Sequence, residues 1–144
     1  MKANELTVGD WLYSVIDRYD HIVKKICKVV GIRTDCDITL LQCDNTDVWY
    51  SLKSYEPIPI TPEILEKNGF VAKQVYSYPY YVYEVKGDKF NFEIALPKGN
   101  KTTYKEPWIY IYSTHVFVNH LPCVFVHQLQ HALRLCGIEK EIIL

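Results

Sequence analysis

The chain has 144 residues, of which 16 are Lys or Arg and 17 are Asp or Glu, and its formal net charge is −1. A chain of this length suffices for one compact domain, or for two small lobes, that folds without a disulfide or a metal. Its balanced charge excludes the strongly basic composition that is typical of proteins with an extensive phosphate-binding surface.

The five cysteines are odd in number and include no Cys-x-x-Cys pair, which disfavours both a zinc ribbon and a small disulfide framework. The N-terminal sequence has no apolar run with the length of a signal peptide or a membrane-spanning helix. We therefore expect a cytoplasmic protein that has reduced, mostly buried thiols and no membrane association.

The first sixty residues indicate short strands that are separated by clusters of turn-forming residues. Strands are predicted over residues 11–16, 22–32, 38–42 and 48–52. In the second of these, alternation places Cys27 and Val29 on a core face and Ile22, Ile26 and Val30 on the opposite face. Four or five short strands within residues 1–60 predict a small SH3-like barrel.

A short helix is predicted over residues 62–68, between the barrel and the rest of the chain. Thr61 is a favourable N-cap, Pro62 suits the first helical position, and Gly69 ends the helix. We interpret this helix as a structural joint.

An aromatic antiparallel sheet is predicted over residues 74–118, with strands whose tyrosines and tryptophan share a face. These residues could pack across strands, contact a protein partner or stack on nucleic-acid bases. Base stacking is disfavoured, because the neighbouring charges are mixed and form no basic groove. The aromatic residues proposed as part of an interaction surface are Tyr76, Tyr78, Tyr80, Trp108, Tyr110 and Tyr112.

A terminal helix is predicted over residues 123–136, followed by Gly137 as its C-cap; Pro122 is either its first residue or the last of a turn. Its apolar stripe consists of Val126, Leu129, Leu133 and Cys136. On a helical wheel, a polar face lies opposite that stripe and is the second proposed interaction surface. Its members are His127, Gln130, His131 and Arg134.

The histidines of this helix invite a metal or catalytic interpretation. His127 and His131 are four residues apart, and His115 or His120 is a conceivable third ligand. The glutamate of a His-Glu-x-x-His site is missing, and a pair formed by Cys123 and His127 requires a partly exposed thiolate. Because the chain also lacks a glycine-rich phosphate loop and a Gly-x-Ser-x-Gly elbow, we predict no catalytic residue, metal or cofactor.

Three segments carry a family resemblance: residues 8–11, residues 56–70 and residues 126–137. The PIPIT…GF sequence of the second and the VHQLQ helix of the third resemble small uncharacterised proteins of gut bacteria, their prophages and other mobile elements. The resemblance implies a small barrel, a proline-started helix, a sheet and a closing helix, and it implies no activity. His131 departs from the family pattern, which has an asparagine-like residue there.

These features predict an α+β fold of mostly antiparallel strands, with a barrel-like lobe over residues 1–60 and an α+β lobe over residues 61–144 in one continuous unit. The predicted function is a non-enzymatic interaction module that binds a protein or associates with itself, in a phage or mobile-element setting. The alternative is a nucleic-acid-binding protein that uses the barrel. The basic residues available for that alternative are Lys24, Lys25, Lys28, Arg33 and Lys53.

Overall fold

A computed structural model describes residues 1–19, 21–73, 79–87, 90–98, 106–112 and 117–144, with the backbone alone for residues 117–120. The fold is α+β, and within these residues it consists of two antiparallel sheets and two α-helices. The chain divides into two compact units, Met1–Ile58 and Pro59–Leu144. The division lies two residues before the predicted boundary.

The first unit is a five-stranded antiparallel sheet in the order β4-β3-β2-β1-β5. The described pairings leave this sheet open, so they do not close the predicted barrel. A 3-10 turn at Leu52–Ser54 precedes the last strand. The strands are Trp11–Arg18 (β1), His21–Asp35 (β2), Ile38–Cys43 (β3), Tyr50–Ser51 (β4) and Tyr55–Pro57 (β5).

The long strand β2 confirms the predicted division between a core face and an outer face. Cys27 and Val29 are fully buried and pack in a cluster with Leu12, because successive side chains of a strand point to opposite sides. Ile22, Ile26 and Val30 lie on the other side and are exposed.

Strand β2 is longer than predicted, because it continues past Ile32 to Asp35. The reason is a two-residue hairpin turn in which Cys36 and Asp37 have φ angles of 44° and 65°. Positive φ at both central positions is the geometry of a type I′ turn, which keeps Asp35 paired with Ile38.

The predicted connecting helix is confirmed as α1, Pro62–Lys67. The Thr61 hydroxyl accepts a hydrogen bond from the Ile64 N–H at 3.4 Å. At the other end, Gly69 has a φ of 69° and the Phe70 N–H donates to the Leu65 carbonyl at 3.0 Å. This is the glycine-terminated cap that the sequence predicts.

The second unit contains an antiparallel sheet in the order β10-β9-β8-β7-β6. Phe92, Ile94 and Ile109 are buried on one of its faces. The predicted aromatic sheet is therefore confirmed, although Tyr76 and Tyr78 lie outside the described residues. The strands are Val71–Lys73 (β6), Tyr80–Lys86 (β7), Asn91–Pro97 (β8), Trp108–Tyr112 (β9) and Phe117–Pro122 (β10).

The terminal helix α2 spans Val126–Leu135, so it begins later than predicted. Pro122 is the last residue of β10, and the chain turns into the helix at Phe125. The Gln128 side-chain carbonyl fixes this start by accepting hydrogen bonds from the N–H groups of Val124 and Phe125, at 2.9 and 3.2 Å.

Candidate interaction surfaces

The predicted polar face of α2 is only partly exposed. Arg134 is exposed and His131 is half-buried, but His127 and Gln130 are 0% and 4% exposed. The prediction that these two residues face solvent is wrong. The Phe125 ring stacks on the His127 ring at 5.9 Å between centroids with a 9° interplanar angle, so the imidazole is part of an aromatic contact.

The described residues provide no third ligand that would complete a metal site with His127 and His131. The rings of His127 and His131 are 6.2 Å apart between centroids and meet edge to face. Among the described residues, no group of three His, Cys, Asp or Glu side chains is placed to hold a metal ion. His115 and the side chain of His120 lie outside that description.

The environment of Cys123 is unfavourable for the thiol–imidazole pair with His127. Cys123 is 1% exposed, and its burial raises the pKa of the thiol well above the ordinary value. Its Sγ lies 4.0 Å from the Phe125 carbonyl oxygen. A nucleophilic cysteine requires the thiolate form, and this burial favours the neutral thiol.

The tyrosine-rich face is the face of the second sheet that is opposite Phe92 and Ile109. Tyr80, Trp108, Tyr110 and Tyr112 share this face and are all half-buried. The sequence prediction that Trp108, Tyr110 and Tyr112 lie together is therefore confirmed.

A charged cluster crosses four strands of that face. Lys73 pairs with Glu93 and with Glu84, the latter at 3.3 Å, and the Tyr112 hydroxyl donates to Glu93 at 2.7 Å. Burial and the hydrogen bond to Glu93 raise the pKa of Tyr112 to about 12. Burial alone lowers the pKa of Lys73, but the hydrogen bond and charge of Glu93 outweigh it and raise that pKa. These contacts link four neighbouring strands on the tyrosine-rich face.

A third surface, which sequence reasoning did not identify as a candidate site, lies on the first unit. Ile22, Ile26 and Val30 are 64%, 47% and 47% exposed and lie in one row along β2, in which they alternate with Lys24 and Lys28. In β1, Asp17 lies opposite Ile22 and Tyr13 lies opposite Ile26, on the same side of the sheet. We call this row and its β1 neighbours the isoleucine face.

Cation–aromatic pairs border one end of the isoleucine face. The Lys28 ammonium lies 5.3 Å from the Trp11 ring centroid, and the Arg33 guanidinium lies 4.6 Å from that of Trp49. The Trp49 ring packs against Gly31, and a Cβ atom added at Gly31 would lie only 2.7 Å from this ring. Near the middle, Lys24 forms an ion pair with Glu56 at 2.5 Å. The face therefore combines apolar side chains with charges of both signs.

Comparisons with known proteins returned no match: no protein-family model, curated protein or solved structure resembles the chain significantly. The resemblance to small prophage-associated proteins accordingly stays a prediction. Neither α1 nor α2, the two α-helices of the described residues, has the length and apolar character that a membrane-crossing helix needs.

Proposed function

We propose that this chain is a non-enzymatic protein-interaction module and that the isoleucine face is its contact surface. The observation that carries the proposal is the exposed row of Ile22, Ile26 and Val30. Single exposed apolar residues are ordinary, but an aligned row within a charged and aromatic border has the composition of an interface. Complete burial of one such half-exposed side chain in an interface contributes about 1 kcal/mol to the free energy of association.

The charges of the isoleucine face favour a second copy of the chain as the partner. Asp17 lies at one end of β1, whereas Lys28 lies beside Trp11 at the other end. A two-fold axis between Lys24 and Ile26, midway along β2 between Ile22 and Lys28, brings Asp17 of each copy towards Lys28 of the other. Ile22 and Ile26 then lie over the aliphatic stems of Lys28 and Lys24 of the other copy, which makes the two faces self-complementary.

The fold that we propose for the first unit is an SH3-like barrel. The supporting observation is the strand order β4-β3-β2-β1-β5, in which the long β2 pairs with β1 along one part and with β3 along the other. The 3-10 turn Leu52–Ser54 before the last strand suits this arrangement. We also place the protein in the cytoplasm, where its five free cysteines would remain reduced.

Sedimentation velocity over a concentration series tests the self-association. We expect the wild type to shift from monomer to dimer mass as the concentration rises, and Ile26→Lys to remain monomeric because it buries an ammonium in the interface. Val71→Lys is the matched control, because Val71 is a β-branched strand residue of the second unit and is 67% exposed. A wild type that stays monomeric throughout, or equal effects of both variants, contradicts the assignment.

Nucleic-acid binding is the second candidate function. The observation that favours it is the pairing of two tryptophans with two cations, Trp11 with Lys28 and Trp49 with Arg33, at one end of the same unit. Against it, Glu56 already neutralises Lys24. A mobility-shift assay over a salt series decides between the candidates, since phosphate contacts weaken steeply as salt rises. Absence of a shift at low salt removes this candidate.

A further inference from the structure

Residues 139–144 lie against the second unit in the manner of an extended peptide. These described residues belong to no helix or strand, and their side chains alternate in exposure. Ile142 is 0% exposed, whereas its neighbour Ile143 is 56% exposed. The even-numbered side chains of the segment are the more buried ones, which is the pattern of an extended chain with one side against a surface.

Two successive residues at the end of α1 bind the main chain of this segment. The Asn68 side-chain amide forms two hydrogen bonds with Ile143, donating from Nδ2 to its carbonyl and accepting at Oδ1 from its N–H, both at 2.8 Å. The Lys67 ammonium donates to the main-chain oxygen of Leu144 at 2.6 Å. Because these contacts involve main-chain atoms of the segment, they do not depend on the side chain at position 143.

Helix α1 holds Asn68 in this orientation by contacts that do not involve the segment. The second Nδ2 hydrogen of Asn68 donates to the Ile64 carbonyl at 2.7 Å. Its backbone N–H donates to the carbonyls of Ile64 and Leu65, at 3.2 and 3.1 Å. The groups that bind the segment are therefore preorganised, and a binding site of this kind loses little conformational freedom when it takes up a ligand.

The residue before the segment is anchored separately. The Ile138 N–H donates to the Leu133 carbonyl at 2.9 Å, which completes the cap of α2. A Cβ atom added at Gly87 would lie only 2.9 Å from the Ile138 side chain, so Ile138 also packs against the end of β7. Residues 139–144 can consequently detach while Ile138 keeps α2 in place.

We propose that Lys67 and Asn68 form a binding site for an extended peptide of a partner protein, and that residues 139–144 occupy this site as a displaceable strap. The peptide has an aliphatic residue in the position of Ile142, and any residue in the next position, where its main chain pairs with Asn68. The proposal goes beyond the self-association and is independent of it, since the isoleucine face belongs to the first unit.

A cleavable chain tests whether the strap can be replaced. A protease recognition sequence is inserted after Ile138, and the probe is a fluorescent peptide with the sequence of residues 139–144. We expect the cleaved chain to stay folded and to bind the probe about tenfold or more tightly than the uncleaved chain, in which the tethered strap competes at a high effective concentration. Fluorescence anisotropy measures both affinities, and Ile26→Lys should leave them unchanged. Unfolding on cleavage, or no binding of the probe to the cleaved chain, makes the segment an inseparable part of the fold and overturns the proposal.

Modified probes test the individual contacts without any change to the protein. Ile142→Thr in the probe should weaken binding about tenfold, because it places a hydroxyl in a buried apolar position. Ile143→Thr, the same substitution at the exposed neighbour, is the matched control and should have little effect. N-methylation of residue 143 should also weaken binding about tenfold, because it removes the donor to Asn68. Equal affinities of the two Thr probes, or an undiminished affinity of the N-methylated probe, contradict the proposed site.

Discussion

The buried side chain of Asn68 links two segments of the second unit that are distant in the sequence. Its amide nitrogen donates to the carbonyls of Ile64 and Ile143, at 2.7 and 2.8 Å, and its oxygen accepts from the Ile143 N–H at 2.8 Å. The residue is 4% exposed. It therefore joins the end of α1 to a segment 75 residues away.

Asn68→Ala should lower the free energy of unfolding by about 1 to 3 kcal/mol, because it removes three hydrogen bonds of a buried side chain, including both that hold Ile143. Urea denaturation measures this loss, and amide exchange at Ile143 should accelerate as well. Asn4→Ala is the control, since Asn4 is exposed in the 3-10 turn Ala3–Glu5. Equal stability of the two variants would refute the role assigned to Asn68.

Single residues also show the limits of prediction from this sequence. A helical wheel treats polarity as exposure, so it places His127 on the outside, whereas the ring is buried in a stack with Phe125. Asn68 was predicted only as the last residue of the connecting helix, because its partner Ile143 is remote in the sequence. Long-range contacts of this kind leave no local pattern to detect.

At the scale of elements, the strands β6 to β9 are linked by the cluster of Lys73, Glu84, Glu93 and Tyr112. The pKa of Tyr112 is raised above its ordinary value of 10.0 to about 12, by burial and by the hydrogen bond to Glu93. The protonated phenol is therefore favoured by folding. Its stabilising contribution is complete below about pH 10 and is lost as the pH rises through about 12.

Tyr112→Phe should accordingly make the free energy of unfolding less sensitive to pH between about 10 and 12. Urea denaturation at several pH values over that interval measures the slope. Tyr19→Phe is the matched control, because Tyr19 is fully exposed at the turn between β1 and β2. If Tyr112→Phe has the slope of the control, the hydroxyl of Tyr112 does not carry this dependence.

Elements whose signals are local could be predicted, and those that depend on unusual backbone geometry could not. Helix α1 was found because Thr61, Pro62 and Gly69 all favour the same boundaries. The extension of β2 was missed, because a hairpin turn built on Cys36 and Asp37 has no glycine to indicate it.

At the scale of the whole molecule, the alternating pattern of β2 predicted correctly which side of the first sheet faces solvent. It did not show how much apolar surface stays exposed, since that depends on whether another element covers Ile22, Ile26 and Val30. Nor did it show that β5 pairs with β1 only from Leu12 to Ser14, whereas β1 pairs with β2 as far as Arg18. Both features depend on how the strands are arranged in the folded protein, which a local sequence pattern does not show.

The most direct test of the isoleucine face as an interface is photo-crosslinking inside cells that produce the protein. A photoreactive phenylalanine analogue replaces Ile26 in one variant and Val71 in the control. We expect a discrete crosslinked product of dimer mass from position 26 after irradiation and none from position 71. Absence of any protein adduct at position 26, or the same products from both positions, would contradict the proposed function.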